Sequence, residues 1–433
     1  MLKLFAIDVD LKVSQTNACY FIHSCVKMNL FFLINVNLAF KKCIAFWRVL
    51  KLILIVQIVL TSCHNTSLPE ININVTDEIN FNTKIPCRVS IKNTNADTTA
   101  DAKIEARGGL SRKYEKKSFE VKFKNKTALI DLPLNKSFVL NANYIDKTFM
   151  RHKICYSLFK EMSSENKAPQ CRYVNLSINE KYNGLYVLME GVNADFLELN
   201  KRDTLAMLFK DPPVFVKEKI DFVEDKANYY QQKYPKKSKS DKTHYIEKFK
   251  SFLFDSDDNI FAQNIEKWID LKNIIDWHLL LYFSNNGDGI VKNFYLYKQN
   301  TNTPFRISIW DCDHSFGRDC DNELNIKPSD LPFERSILLK RLLNNPYLNY
   351  KQKLRKRWWE LRNKNIFSLE HVKSEIEKNK SQIANEIEAN FKLWPINGQF
   401  YVDHNTFDEE LNIMLDFIQM NTQVLDRYFK TID

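Results

Sequence analysis

Two acidic segments in the second half of the chain carry the residues best suited to chemistry. The first reads Asn285-Asn286-Gly287-Asp288-Gly289-Ile290-Val291-Lys292-Asn293, the second Trp310-Asp311-Cys312-Asp313-His314-Ser315-Phe316-Gly317. Asp288 is followed five residues later by Asn293. A phosphoryl-transfer loop uses that spacing to set an Asp on the substrate hydroxyl and an Asn on Mg²⁺. Asp311 and Asp313 stand shortly before Phe316-Gly317, where a further carboxylate reaches the metal in such sites. Residues 294–297 and 305–309 lie between the two segments and read as strands about a turn. A hairpin there brings the acidic segments side by side. The chemistry this pattern points to is phosphoryl transfer.

Glycine marks where the backbone must do something unusual. Only 8 glycines occur in 433 residues, far below the usual ~7 %. Seven fall in four stretches: Gly108-Gly109, Gly184 with Gly191, Gly287 with Gly289, and Gly317. Residues 103–107 alternate, turn at Gly108-Gly109 and resume at 118–123, with Phe119, Val121 and Phe123 on one face of a half-buried strand. Asp146 is expected to cap a helix running to about Met162, with Met150, Ile154 and Leu158 on its buried side. Strands follow at 172–178 and 185–189, joined by a turn at Asn183-Gly184. Helices are expected at 242–254, 261–284, 336–363, 368–392 and 406–430. This order predicts an α+β fold of two lobes, β-rich over about 101–192 and mostly helical over about 193–430.

The whole chain bounds the remaining possibilities. With 63 basic and 53 acidic residues its net charge is +10, modest for the length. The dense basic run at 236–242 reads as a solvated loop, and nucleic-acid binding is not expected. Residues 1–62 read as a leader, with the part before about Met28 lying upstream of the true start. Lys41, Lys42, Arg48 and Lys51 precede a nine-residue apolar run at 52–60, which suits a signal-peptide core and is too short to span a bilayer. The run ends Leu60-Thr61-Ser62-Cys63, similar to a bacterial lipoprotein cleavage box. Lipidation of Cys63 is therefore expected, with the protein anchored to a membrane of the bacterial cell envelope. Residues 63–100 then form a tether and the first strands. Beyond Cys63 there are five cysteines, Cys87, Cys155, Cys171, Cys312 and Cys320. Their odd count and the lack of a C-x-x-C pair argue against a zinc site or a complete disulfide framework. Cys312 and Cys320 could pair, or stand as separate buried thiols.

Taken together, the motifs resemble the CotH kinase family, named for spore coat protein H, whose members are atypical secreted or spore-associated protein kinases. The resemblance runs from about residue 100 to 425. It rests on Arg107-Gly108-Gly109-Leu110-Ser111-Arg112 with Lys116-Lys117-Ser118-Phe119, then Asp146 through Met150-Arg151, and Asn183 to Glu190. Asp288-Gly289 with Asn293, and Trp310 to Asp313 with Phe316-Gly317, complete it. The resemblance implies a kinase-like fold, ATP and Mg²⁺ (or Mn²⁺) as cofactors, and Ser/Thr hydroxyls of secreted or envelope proteins as acceptors. It implies Asp288 as the catalytic residue, Asn293 and Asp311 as metal ligands, and Asp313 as a further ligand or a support. Arg107, Gly108 and Arg112 would cover phosphates. Lys117, or Lys116 beside it, would contact the α/β-phosphates, with Lys122 as the alternative and Glu161 as a possible partner of that lysine. Residues 186–192, including Met189 and Glu190, would form the hinge that meets adenine. The loop reads Gly-Gly-Leu-Ser where the family often has Asn or Ser after the first Gly.

Three rival readings compete. Asp311-Cys312-Asp313 also fits the Asp-x-Asp of a glycosyltransferase, which leaves Asp288 and Asn293 unexplained. An EF-hand fails on register, because placing Gly289 at the sixth loop position puts Tyr295 where a bidentate Glu is needed. A lipid-anchored adhesion protein that kept the fold and lost turnover is the non-enzymatic alternative. No Walker A, His-Glu-x-x-His or Gly-x-Ser-x-Gly motif occurs.

Overall fold

Period-two alternation in the first half of the chain is satisfied by a closed barrel. A computed structural model describes residues 67–92, 98–218, 229–319, 331–398 and 404–432; the leader, Cys63 and Cys320 lie outside the described residues. Strands β1 (Glu70–Asn74), β2 (Ile85–Lys92), β3 (Thr98–Arg107), β4 (Ser118–Thr127), β5 (Asn135–Asn141), β6 (Cys171–Ile178) and β7 (Lys181–Glu190) pair in the order β1-β2-β3-β4-β5-β7-β6. β6 lies parallel to β1 and closes the ring, which removes free sheet edges. In β2, Ile85, Cys87, Val89 and Ile91 point inward while Pro86 and Arg88 are exposed. Phe119, Val121 and Phe123 do the same in β4 and meet Phe138, Tyr186 and Leu188 in the barrel interior. The segment read as tether and first strands thus supplies two staves of the barrel.

The β6–β7 turn is Asn179-Glu180, both left-handed at φ 50° and 65°, as a two-residue hairpin loop requires. It is not the Asn183-Gly184 turn expected from the sequence. Gly184 sits inside β7 at φ +107°, where Leu176 pairs with Gly184 but Ser177 with Tyr182, leaving Asn183 as the extra residue of a bulge.

After the barrel come β8 (Met207–Lys210), β9 (Gln232–Tyr234), β10 (Phe294–Lys298) and β11 (Arg306–Ile309). They form an antiparallel sheet ordered β11-β10-β8-β9. The helices described are α1 (Arg151–Met162), α2 (Thr243–Asp255), α3 (Asp258–Trp268), α4 (Leu271–Ser284), α5 (Ile337–Asn344), α6 (Tyr350–Asn363), α7 (Leu369–Leu393) and α8 (Phe407–Thr431). Two long stretches expected as single helices are each broken. Asp270 caps α4 by accepting the Asn273 N–H at 3.1 Å, and Phe305 N–H donates to Trp268 O at 2.7 Å across the break. Asn345 is extended before Pro346, which separates α5 from α6.

Met150, Ile154 and Leu158 are buried as expected. The helix itself begins at Arg151, and Asp146 accepts the Arg151 N–H at 3.1 Å from outside it. One hydrophobic core joins α1, the helices and the outer face of the barrel, with Phe159, Val187, Met189, Trp277 and Trp358 all part of it. The fold is α+β, with an N-terminal barrel and a helical C-terminal part.

Candidate active site

The β10–β11 hairpin sets the two acidic segments together. Phe294 pairs with Ile309, and one step beyond, the Trp310 N–H donates to Asn293 O at 2.9 Å. Asn293 and Asp311 therefore share the open end of the hairpin. Both hold left-handed backbone, φ 62° and 52°, a region that Asn and Asp enter more readily than other non-glycine residues. Upstream, α4 ends at a left-handed Asn285 and Asp288 opens a short 3-10 turn, Asp288–Ile290. Asn293 Nδ2 donates to Asp288 Oδ2 at 2.7 Å, and Lys292 Nζ pairs with Asp288 Oδ1 at 2.9 Å. The Asp-to-Asn spacing closes into a direct side-chain hydrogen bond.

Asp311 meets helix α1. Its Oδ1 lies 3.0 Å from His152 Nε2, and its N–H donates to the Tyr156 hydroxyl at 3.2 Å. The His152 side chain is buried, whereas 48 % of the Asp311 side chain is exposed. Burial disfavours the imidazolium, but the Asp311 hydrogen bond and the charges of Asp313, Asp311 and Asp146 outweigh it and push His152 up to about 9. Burial also raises Asp311, yet the His152 hydrogen bond and the charges of His152, Arg107 and Lys210 hold it well below the usual carboxylate range. Asp313 is raised by burial and by the Asp311 charge, as expected where two carboxylates crowd together. Two carboxylates and an imidazole with donor atoms within 4.8 Å of one another are a set that fits a divalent cation.

A buried charge network fixes the second acidic segment. Arg151 donates through Nε to Ser315 O at 2.9 Å, through Nη1 to Asp146 at 2.6 Å and through Nη2 to Glu410 at 2.9 Å. Arg318 grips the same Glu410 with Nε at 2.8 Å and Nη2 at 2.5 Å. Burial acts to raise Glu410, but the two guanidinium groups bring it down to about 2. Cys155 and Cys312 are buried thiols beside this network. The Cys312–Cys320 pairing falls on a residue outside those described.

Asp288, Asn293, Asp311 and Asp313 line one cleft of about 1520 Å³. Its walls include Arg107, Gly108, Arg112, Lys122, Lys210, Asp211 and residues 191–193. The Arg107 guanidinium lies 5.2 Å over the Trp310 ring. Arg112 Nε donates to Gly108 O at 2.9 Å and bends the loop back on itself. Gly108 has φ +144°, and a Cβ there would strike Ser111 Oγ at 2.2 Å, so this turn requires glycine.

Several residues nominated from the sequence are taken up by the protein's own packing and hydrogen bonds, Lys116 among them although it borders the cleft. Lys116 is buried, and its Nζ donates to Ala142 O at 2.9 Å, Leu185 O at 2.5 Å and Asn390 Oδ1 at 3.0 Å. All three ammonium donors are used, and burial holds its pKa well below the ordinary lysine value. Lys116 ties the barrel to α7 and has no donor left for a phosphate. Lys117 Nζ donates to Arg112 O at 2.8 Å and to Tyr114 O, bracing the glycine loop. Met189 is a core residue paired with Val139 and Cys171. Buried Glu190 accepts the Gln170 N–H at 3.0 Å. The three residues after it, Gly191, Val192 and Asn193, are the ones that reach the cleft. Glu161 bonds Ser157 and His371 rather than a lysine.

Sequence reasoning missed His152, Lys210 and Asp211. His152 lies off the Met150, Ile154 and Leu158 face of α1, which was its one visible signal. Lys210 ends a strand of 4 residues, too short to register as alternation. Burial lowers the Lys210 pKa and Arg107 adds to that, while Asp211 and Asp311 oppose it.

Residues 104–425 match the family described as CotH kinase protein. The chain belongs to the CotH kinase protein family. It is similar to Inner spore coat protein H of Bacillus subtilis (strain 168), with 24 % identity over 225 residues. That match covers 52 % of this chain and 61 % of the relative, so it spans about three fifths of the relative's length. Among solved structures it is similar to the Helicobacter pylori proinflammatory kinase CtkA, at 10 % identity, covering 70 % of this chain and 90 % of that one. The TM-score of 0.30 is too low to carry an argument about fold.

Proposed function

We propose that this chain is an atypical protein kinase of the bacterial envelope that moves the γ-phosphoryl group of ATP to Ser or Thr hydroxyls of envelope or secreted proteins. Family membership supports the kinase reading. One observation carries it: Asn293 hydrogen-bonds Asp288 through its side chain while its backbone carbonyl holds Trp310, the neighbour of Asp311. The barrel and the helical part would serve as the two lobes of a kinase-like fold.

In this reading the acceptor oxygen attacks the γ-phosphorus, the bond to the β–γ bridging oxygen breaks, and ADP departs. Asp288 orients the acceptor hydroxyl and takes its proton. A divalent cation, Mg²⁺ or Mn²⁺, would supply neutralisation of the phosphate charge. Asp311, Asn293 and Asp313 would hold it. Arg107 and the Gly108 backbone would meet phosphate oxygens, with Arg112 keeping the loop closed. Lys122 and Lys210 are the candidates for the lysine contact, in place of Lys117 and Lys116. Backbone groups at 191–193 would face adenine.

Export and anchoring belong to the same proposal, and the apolar run before Cys63 supports them. Metabolic labelling with a fatty acid should mark the wild-type protein and not Cys63→Ser; equal labelling overturns the anchor. The backbone contacts that occupy Lys116 and Lys117 favour one alternative, a nucleotide-binding surface protein without turnover. Incubation with ATP and Mg²⁺ or Mn²⁺, followed by mass spectrometry of the protein and a Ser-rich peptide, separates the two. Phosphosites support the kinase; ATP binding without phosphosites supports the alternative; no ATP binding overturns both.

A further inference from the structure

Beside the carboxylates of the proposed cation site stands an imidazole nitrogen. His152, the second residue of α1, is 2 % exposed, and its Nε2 lies 3.0 Å from Asp311 Oδ1. With Asp313 these residues form the one such donor group found among the described residues, all atoms within 4.8 Å of one another. In an octahedron with bonds of about 2.1 Å, neighbouring donors stand about 3.0 Å apart and opposite ones about 4.2 Å. The His152–Asp311 separation is already that of neighbouring ligands.

The ring is well held. Tyr156 packs edge-on against it, centroids 6.0 Å apart at 81°, and the preceding Arg151 is locked into the buried network with Asp146 and Glu410. Nδ1 is buried with no hydrogen-bond partner, and Nε2 faces Asp311, so a cation bound there would take the place of the proton in that hydrogen bond.

We propose that His152 is a ligand of the active-site cation, forming with Asp311 and Asp313 a mixed imidazole–carboxylate site that selects a first-row divalent transition metal over Mg²⁺. Mg²⁺ is a hard cation that dehydrates reluctantly and keeps its waters, so it gains little from an imidazole. Transition metals accept imidazole readily alongside carboxylate. The proposal rests on the kinase reading for the role of the cleft; the binding itself is measured without turnover.

The test uses the purified full chain, MnCl₂ as probe and MgCl₂ as competitor. Pulsed EPR of bound Mn²⁺ should show the ¹⁴N modulation of a coordinated imidazole in the wild type and none in His152→Asn. Mn²⁺ affinity should fall about tenfold or more in that variant, with Mg²⁺ affinity nearly unchanged. Bound Mn²⁺ without nitrogen modulation in the wild type overturns the assignment, and so does no bound Mn²⁺ at all. Both of these overturning outcomes are read on the wild type, so a poorly folded variant does not shield the proposal. An unchanged ratio of Mn²⁺ to Mg²⁺ affinity in folded His152→Asn also overturns it. Nitrogen coordination without any phosphoryl transfer supports the metal site and counts against the kinase reading.

Discussion

Lysines show most clearly what a residue's surroundings decide. Lys116 is buried and Lys210 half-buried, and burial lowers both pKa values. Both border the cleft, but Lys116 spends its donors on two backbone carbonyls and Asn390, whereas Lys210 feels the Asp311 and Arg107 charges. Lys116→Met should therefore destabilise the protein by about 2–4 kcal/mol, because it leaves buried acceptors unpaired. The Michaelis constant for ATP should stay as it was. Lys210→Met should instead cut kcat/KM for ATP by about tenfold to a hundredfold with little loss of stability. Denaturant melts and steady-state kinetics on both variants check this, and the opposite assignment would return the phosphate contact to Lys116. The acidic residues were legible because Asp288 to Asn293 and Asp311 to Asp313 are local spacings. His152 was not, since it meets Asp311 from 159 residues away in the chain.

Elements hold the site through charge as well as packing. Glu410 at the start of α8 receives Arg151 from α1 and Arg318 from the segment after Asp313. Removing one member of such a buried cluster leaves the others uncompensated. Glu410→Gln should cost about 3–5 kcal/mol and loosen the loop that carries Asp311. The folded-state pKa of Glu410 is lowered from 4.5 to about 2, so the unfolded chain takes up the proton first. The stability this carboxylate contributes is full above about pH 4.5 and fades as pH falls toward about 2. Unfolding free energy measured across that window should fall more steeply for the wild type than for Glu410→Gln; parallel slopes would contradict the account. Element types were largely readable from periodicity, but their ends were not. Asn183-Gly184 carries the strongest local turn signal, yet Gly184 serves a bulge where Asn390 Oδ1 and Trp394 Nε1 would lie 2.9 and 3.1 Å from a Cβ. The approach of α7 is a tertiary fact, and it overrode the local preference.

At the scale of the whole molecule, barrel closure decides what can be cut away. β1 joins β6 in parallel across about a hundred residues, a long-range pairing that no local pattern announces. The sequence showed an α+β chain with strands before helices; it did not show that residues ahead of 101 complete a ring. Leu68–Asp433 forms one compact unit. A chain from residue 68 should unfold cooperatively, whereas one from 101 loses Ile71, Ile73, Ile85, Val89 and Ile91 from the interior and exposes the edges of β3 and β6. The shorter chain should aggregate or bind hydrophobic dye; equal stability would show that closure is dispensable. The central claim is that Asp288 and Asp311 carry phosphoryl transfer, and it is tested most directly by transfer of labelled γ-phosphate from ATP by the full chain, with Mg²⁺ or Mn²⁺, against Asp288→Ala and Asp311→Ala. Incorporation in the wild type that falls by about a hundredfold or more in both variants is the predicted result. Incorporation that survives in either folded variant, or ATP that binds neither variant nor wild type, would contradict the account.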